Sequence, residues 1–330
     1  MRFFAAVVLA ASVFLACPGA SVIDAGAGGG AAVGGGGGAA GGGGGGGGQM
    51  TSDAGVEGIE LLGKLSGLWS GPATLTPLGD FPVMNFDLRP VDGQFVFGQT
   101  ELDASNTLRF GFSIETVSGR DVLAYRNGGF FQGVLRDSRT ALVETDGGTW
   151  RFCSVPAGCS YIDARFTPTE TTLVLDTKVR GMQHVLWNAT KQEARTVPSP
   201  FPSDLASRGD GGAPWPTLAS VDVNVSFGAA VSAPAQVWVL LTTSACFPTF
   251  GCHAARSISV PAAMGSTSAT MNLPNVHAGA YKVTVLLDAD RNFVNTRAPS
   301  SGDRVAIDQD LTVPQSGSAS VNALTSYTVP

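Results

Sequence analysis

Apolar and polar residues alternate along two long stretches of this chain, and a period of two is typical of half-buried β-strands. The alternation is clear in Phe95–Glu101 and Arg109–Glu115, and again in Val221–Phe227 and Val237–Leu241. Gly, Pro, Asn and Asp separate these short segments, as they do where turns join strands. The pattern therefore predicts an all-β protein.

The first stretch, which ends near Thr190, predicts short strands joined by tight turns. Residue pairs that favour hairpin turns separate many of them, namely Asp92-Gly93, Ser118-Gly119, Asn127-Gly128 and Asp146-Gly147. The predicted strands are Leu68–Thr76, Val83–Arg89, Phe95–Glu101, Leu108–Glu115, Asp121–Arg126, Gly129–Arg136, Thr140–Thr145, Thr149–Val155, Tyr161–Phe166, Thr171–Val179 and Met182–Thr190. A helix is predicted only at Val56–Leu65, where apolar residues share one face. Consecutive strands with few helices favour an up-and-down antiparallel β-barrel, and a β-sandwich is the alternative.

The second stretch is set apart by residues 197–216, which are rich in proline and glycine and predict an interdomain linker. The strands predicted beyond it are Ser220–Phe227, Ala235–Thr243, Ala254–Val260, Ser268–Leu273, Gly279–Asp288, Arg304–Val313 and Ser318–Val329. Strands at this spacing over residues 217–330 favour a two-sheet β-sandwich.

Residues 1–17 carry Arg2, an apolar run, and the small residue Ala16 before Cys17. This order is typical of a secretory signal peptide, and the apolar run is shorter than the roughly 20 residues that span a bilayer. The ending Phe14-Leu15-Ala16-Cys17 resembles the lipobox of bacterial lipoproteins, although Phe14 stands where that family usually has Leu. The resemblance implies cleavage before Cys17 and attachment of acyl chains to it, which would anchor the protein in the bacterial cell envelope, at the outer rather than the inner membrane. An ordinary signal peptide that leaves Cys17 as a free thiol is the alternative.

Residues 18–56 are mostly glycine and alanine. A segment with so few apolar side chains cannot offset the entropy cost of becoming ordered. It predicts a flexible tether with a root-mean-square span of roughly 35 Å.

The five cysteines agree with export, because an odd count leaves one thiol to be explained and lipidation of Cys17 would account for it. The other four form two local pairs of equal spacing, Cys153 with Cys159 and Cys246 with Cys252. Each pair encloses a proline and has a glycine before its second cysteine, a composition that favours a tight reversal. We expect two disulfides in an oxidising compartment. A metal site shared by the two pairs is the alternative.

The segment Gly67-Leu68-Trp69 follows the predicted helix and opens the first strand. It resembles the Gly-x-Trp start of lipocalin-like (calycin) barrels, in which the Trp closes one end of the barrel and an Arg near the final strand packs across it. The resemblance implies a lipocalin-like barrel over residues 57–196, with Arg180 as that partner. A barrel of about eight strands is either filled by side chains or holds one small ligand. The residues expected to line a ligand site are Trp69, Phe110, Phe112, Trp150 and Trp187, and packing as core is their alternative role.

The second domain resembles small immunoglobulin-like or prealbumin-like sandwiches in which a strand runs into an Asp/Asn-rich loop. Oxygen-bearing side chains stand at alternate positions, Asp288, Asp290 and Asn292, and Asp303 follows. Alternate oxygen ligands are typical of the start of a calcium loop, so these four residues are candidate calcium ligands. A complete EF-hand is absent, because Phe293 and Pro299 stand where its Gly and Glu belong. A solvated turn whose Asx side chains bond their own backbone is the alternative.

The net charge of −6 and the lack of a basic stripe exclude nucleic acid as an expected partner. No catalytic motif is present, although Glu101, Glu115 and Glu144 would supply carboxylates if they faced one lumen. The first functional hypothesis is therefore a monomeric, membrane-anchored envelope lipoprotein whose barrel binds a small or apolar ligand. The second is a structural or adhesion protein that binds protein or glycan through the sandwich. The third is a hydrolase with a carboxylate site of an unfamiliar kind.

Overall fold

In the computed structural model the described residues are 56–76, 78–91, 95–99, 109–128, 138–196, 217–247, 250 and 252–330. They confirm the all-β prediction, since strands dominate and only two short helices accompany them in this part of the chain: Glu60–Leu65 (α1) and Phe293–Thr296 (α2). Among these residues no helix is both long enough and apolar enough to cross a membrane. Cys17, nearly all of the predicted tether and the predicted linker at 197–216 lie outside the described residues.

Ten strands that precede the predicted linker form one sheet. They are β1 (Gly67–Leu75), β2 (Gly79–Val91), β3 (Phe95–Gln99), β4 (Arg109–Val117), β5 (Arg120–Gly128), β6 (Ser138–Asp146), β7 (Thr149–Ser154), β8 (Gly158–Pro168), β9 (Thr172–Val179) and β10 (Met182–Ala194). Each strand pairs antiparallel with the next. Strand β1 also pairs with β10, so the order of neighbours returns to the first strand.

The predicted strands of this stretch agree with the observed ones to within a few residues at each end, because alternation marks the middle of a strand better than its ends. Gly129–Arg136 is the exception, since it lies wholly outside the described residues. The helix predicted from Val56 begins only at Glu60. Gly58 has a φ of 80°, a left-handed conformation that a right-handed helix cannot include.

Strand β1 approaches β10 unusually closely at Gly71. A Cβ atom added there would lie 1.9 Å from the carbonyl oxygen of Asn188, so no other residue fits without moving the backbone. The register between β1 and β2 shifts between Gly71 and Ala73. Glycine is therefore required at this irregularity, as is common where two backbones meet.

Eight strands after the predicted linker form two further sheets. They are β11 (Ala219–Phe227), β12 (Ala235–Thr242), β13 (Arg256–Ala262), β14 (Ser268–Val276), β15 (Gly279–Asp288), β16 (Arg304–Val313), β17 (Ser318–Thr325) and β18 (Tyr327–Thr328). The smaller sheet has the order β14-β11-β17, with β11 and β17 parallel, and the larger has the order β13-β12-β15-β16-β18. Buried Val and Leu residues of both sheets form one shared apolar core.

The final predicted strand, Ser318–Val329, is two strands in the structure. The chain bends at Ser326, so that β17 pairs with β11 in the smaller sheet and β18 pairs with β16 in the larger one. Alternation continues across the bend, and the sequence therefore gave no sign that the chain changes sheets there.

The larger sheet is also covered on its outer face. Trp238, Leu240 and Leu286 point away from the shared core and pack in a second apolar cluster with Phe250 and Phe293. These last two residues belong to the second disulfide loop and to α2. The central strands of the larger sheet are thus buried on both faces.

Candidate functional site

The five aromatic residues predicted to line a ligand site all lie in the core of the ten-strand sheet. Trp69, Phe112 and Trp187 are fully buried, and Phe110 and Trp150 are nearly so. The indole nitrogen of Trp69 donates to the carbonyl of Leu65 at 2.7 Å, and that of Trp187 donates to the carbonyl of Met84 at 3.2 Å. Their polar atoms are therefore used within the protein.

Four more aromatic residues that the sequence did not single out fill the space between them, namely Phe86, Tyr125, Phe152 and Phe166. The Phe86 ring centroid lies 4.7 Å from that of Phe110 and 4.9 Å from that of Trp187. The Phe112 and Phe166 centroids are 5.2 Å apart. Rings at these distances are in direct contact, so a ligand placed among them would have to displace them. Their role here is the alternative named above, packing as core.

The cation that packs on Trp69 is Lys191, at the far end of β10. Its ammonium nitrogen lies 4.6 Å from the Trp69 ring centroid and donates to the carbonyl of Lys64 at 3.0 Å. The expectation that Arg180 fills this place is wrong, because its guanidinium lies over Tyr161, at 5.3 Å. Arg180 has a φ of 51° in the turn before β10, a position too early in the strand to reach Trp69.

Both predicted disulfides are present. The Cα atoms of Cys153 and Cys159 are 4.5 Å apart, and those of Cys246 and Cys252 are 5.2 Å apart. The second loop is also held by Asp308, whose carboxylate accepts the backbone N–H groups of Cys246 and Phe247 at 3.1 and 3.2 Å. The four cysteines are therefore structural, and the metal alternative for them is excluded.

The four candidate calcium ligands lie at the end of β15 and in the loop that leads from it to β16. Asp288, Asp290 and Asp303 offer carboxylate oxygens that all lie within 4.8 Å of one another. Asn292 instead donates its amide N–H to Asp290 at 2.6 Å. The Asn292 side chain thus forms a hydrogen bond within the loop.

Hydrogen bonds within the loop occupy the two buried carboxylates. The Asp288 oxygens accept the backbone N–H groups of Asn292 and Phe293, each at 3.1 Å. The Asp303 oxygens accept those of Ala289 at 2.8 Å and Ser300 at 2.7 Å. This is the arrangement of the self-bonded Asx turn named above as the alternative, and the calcium site itself stays a prediction.

Burial raises the pKa of Asp288, and the nearby carboxylates of Asp290 and Asp303 raise it further, while the backbone N–H groups of Phe293 and Asn292 oppose the rise. The charged form of Asp288 is therefore disfavoured in the folded protein. A bound cation would favour the charged form of Asp288. Calcium needs six to eight oxygen ligands, however, and backbone N–H groups of the loop already bond the oxygens of Asp288 and Asp303. The present geometry does not fit calcium well.

The three carboxylates considered for acid–base chemistry do not gather in one place among the described residues. Glu101 lies outside them. Glu115 is buried and accepts a hydrogen bond from Ser113 at 3.0 Å, whereas Glu144 is exposed and pairs with Arg151 at 3.1 Å. Nothing here forms the paired carboxylates of a hydrolase.

The sequence analysis missed one extended surface, the outer face of the β14-β11-β17 sheet, which we call the polar face. Its residues are Ser220, Asp222, Asn224 and Ser226 on β11, Ser268, Thr270 and Asn272 on β14, and Ser318, Ser320, Asn322 and Leu324 on β17. All are exposed or half-buried. Side chains join the strands through bonds from Asn272 to Asp222 at 2.7 Å and from Asn224 to Asn322 at 3.2 Å.

Rows of the polar face follow from the strand register. Asp222 stands between Asn272 and Ser320, and Asn224 stands between Thr270 and Asn322. The only charged side chain in the set is Asp222. A signal was present in the sequence, since Ser, Asp, Asn and Ser occupy every outward position of β11, but it was indistinguishable from ordinary solvated strand residues.

No protein-family model, no curated protein and no solved structure matches this chain. The described residues define the class of protein: it is an all-β protein with a ten-strand sheet packed around aromatic side chains, two disulfide loops and a polar face with one charged residue.

Proposed function

We propose that this chain is a lipid-anchored protein of the bacterial envelope that binds a neutral glycan through the polar face of its β-sandwich. In this proposal the ten-strand sheet is a lipocalin-like barrel that binds no ligand itself and carries the sandwich. The observation that carries the proposal is the polar face, a broad grid of hydroxyl and amide side chains with one carboxylate.

The lipocalin-like reading of the ten-strand sheet is supported by three features together. The strands pair in sequence order and β1 meets β10. The helix α1 buries three leucines against the interior immediately before β1. Trp69 carries the cation of Lys191. The filled interior disfavours the hypothesis of a small apolar ligand, since the lining residues contact one another.

The composition of the polar face selects the partner. A strongly charged partner would need complementary charges, and the face has no Lys or Arg. Hydroxyl and amide groups both donate and accept hydrogen bonds, as do the hydroxyl groups of sugars. Neighbouring strands lie about 4.8 Å apart and alternate residues about 6.7 Å apart, so the grid presents bonding groups at short, regular intervals to a linear polymer.

Bonds between the polar side chains reduce the cost of binding. Thr270 donates to Asn224 at 3.4 Å, and Asn224 in turn donates to Asn322. Side chains that are already held lose less rotamer freedom when a partner arrives. A sandwich of immunoglobulin or prealbumin type on a long tether would then hold this face away from the membrane, as an adhesion role requires.

Binding is tested with the Cys17→Ser chain, which cannot be acylated at that position, on an array of neutral oligosaccharides, followed by pull-down on cellulose, starch and dextran. Asn224→Lys places a long charged side chain in the middle of the grid and should abolish binding. Thr312→Lys, on an exposed position of β16 in the other sheet, is the matched control and should bind normally. Equal binding by both variants, or no binding by the parent chain, would reject the glycan proposal.

The anchor is tested separately by metabolic labelling with an alkyne fatty acid. Incorporation into the parent chain and its loss in Cys17→Ser would support the lipoprotein proposal. Labelling that is absent from the parent, or unchanged in Cys17→Ser, would contradict it whatever the glycan result.

A further inference from the structure

A contact between the ten-strand sheet and the sandwich centres on Arg89 of β2. Its Nη2 donates to the hydroxyl of Tyr281 on β15 at 2.9 Å, and its Nη1 donates to the carbonyl of Ala278 at 3.3 Å. The Tyr281 hydroxyl in turn donates a hydrogen bond to the carbonyl of His277 at 2.9 Å. One guanidinium thus contacts a single turn of the sandwich at two points.

Arg89 is itself fixed by a buried carboxylate. Asp87 is 2% exposed and accepts the Nε group of Arg89 at 2.8 Å on one oxygen and the Nε group of Arg195 at 2.8 Å on the other. Arg195 also donates to Glu193 at 2.6 Å. Two cations and two anions therefore alternate in one largely buried cluster of the ten-strand sheet.

Two further contacts join the ten-strand sheet to the sandwich without using Arg89 itself. Glu193 accepts the hydroxyl of Thr243, which follows β12, at 2.6 Å. Arg297, which follows α2, donates to the carbonyl of Val83 at 3.3 Å. Val83 and Arg89 lie on the same strand about 20 Å apart, given a rise of about 3.3 Å per residue. Contacts separated by this distance resist rotation as well as separation.

Electrostatics at this junction favour the docked arrangement. Burial alone raises the pKa of Asp87, but the charges of Arg89, His277 and Arg195 and the hydrogen bond from Arg89 outweigh it, so the pKa lies below its usual value. Burial raises the pKa of Tyr281 to about 12, so its hydroxyl stays protonated and able to donate. Asp87 and Tyr281 therefore keep the protonation states that their hydrogen bonds need at neutral pH.

We infer that Arg89 is a positioning residue which locks the sandwich onto the ten-strand sheet, so that the two move as one body. This goes beyond glycan binding and does not depend on it. The polar face keeps one fixed direction relative to the barrel.

A buried cluster of charges adds little net stability, because desolvation offsets most of the attraction between the charges. Its effect is on orientation, since only one placement of the His277–Tyr281 turn satisfies Arg89. An apolar junction would tolerate sliding. Arg89 therefore narrows the range of orientations between the sandwich and the ten-strand sheet and adds little to the free energy of unfolding.

The test measures that spread by electron-spin distance spectroscopy on the full Cys17→Ser chain. Spin labels at Thr171→Cys and Ser320→Cys occupy exposed positions on the barrel side and the sandwich. The parent should give one narrow distance distribution. Arg89→Met and Tyr281→Phe should each broaden it at least twofold, while near-ultraviolet circular dichroism stays that of a folded protein.

Matched controls are Arg165→Met, which removes another arginine ion-paired to an aspartate, and Tyr327→Phe, which removes an exposed hydroxyl. Both should leave the distribution narrow. A distribution that is already broad in the parent, or one that stays narrow in both junction variants, would overturn the inference. Should Arg89→Met fail to fold, Tyr281→Phe decides alone, since it removes only the hydroxyl.

Discussion

The ammonium nitrogen of Lys191 lies over the ring of Trp69, 4.6 Å from its centroid, and joins the last strand of the ten-strand sheet to the first. Burial lowers the pKa of Lys191, and the charge of Glu170 opposes that change. The same nitrogen donates to the carbonyl of Lys64 in α1. One side chain thus holds together the helix, β1 and β10.

Lys191→Met keeps the aliphatic length but removes the cation. We expect a loss of about 1 kcal/mol in the free energy of unfolding, because a cation–π contact is worth roughly 0.5–1 kcal/mol and a hydrogen bond is lost with it. Urea denaturation followed by tryptophan fluorescence measures the change. Lys178→Met, at a half-buried position of β9, is the control and should change stability far less. Equal effects of the two substitutions would show that the cation over Trp69 has no special role.

The packed aromatic core of the ten-strand sheet predicts that a fatty acid does not bind among these rings. Palmitate should leave the Tm of the parent protein unchanged, because ligand binding to the folded state would raise it. Phe112→Ala should cost about 3–5 kcal/mol, as large-to-small changes in a packed core do. Thermal unfolding with and without palmitate makes both measurements. A rise in the Tm of the parent would restore the hypothesis of a small apolar ligand.

Asp87 predicts a specific loss of stability in acid. Its pKa is lower when folded than the unfolded value of about 3.9, so folding favours its charged form. That contribution is complete above about pH 4 and disappears as the pH falls through the folded pKa. Chemical denaturation between pH 2 and 6 should show a slope that is smaller in Asp87→Asn. The same slope in both proteins would assign the acid sensitivity to other groups.

The acidic loop predicts little response to calcium. Millimolar calcium should not change the Tm relative to EDTA, because loop N–H groups already bond the buried oxygens of Asp288 and Asp303. Differential scanning fluorimetry is sufficient for this comparison. If calcium does raise the Tm and Asp290→Asn removes the effect, the loop is a calcium site after all.

The two disulfides should differ in what their removal costs. The entropy of closing a seven-residue loop contributes about 2.4 kcal/mol in either case. The loop of Cys246 and Cys252 also covers Trp238 and Leu240, so loss of that disulfide should expose apolar surface as well. The double alanine variant at these two cysteines should therefore be less stable than the one at Cys153 and Cys159. Guanidinium denaturation compares them, and equal losses would mean that the covering loop stays in place without its bond.

Features that depend on neighbours along the chain were predictable from the sequence. Most strands before and after the predicted linker, the opening of β1 at Gly67 and the two disulfide loops are local patterns, and the described residues contain them. The bend at Ser326 was not predictable, because no Gly or Pro marks it.

Contacts between distant segments could not be predicted from the sequence. Arg89 and Tyr281 are 192 positions apart, and nothing in either local pattern links them. The choice of Lys191 over Arg180 depends on strand length, since the cation must come from the end of β10 that lies beside Trp69. The polar face likewise depends on the parallel pairing of β17 with β11, two strands that lie far apart in the sequence.

Strand β12 is buried on both faces, one against the smaller sheet and the other beneath the loop of Cys246 and Cys252. In a reducing compartment that loop lacks its covalent closure, and an apolar segment such as Val237–Leu241 is then the kind that associates with other unfolded chains. Recombinant chains made in a reducing cytoplasm should consequently collect in inclusion bodies. Production through an oxidising secretory route, or refolding with a thiol–disulfide buffer, is the practical way to obtain the protein for all of these measurements.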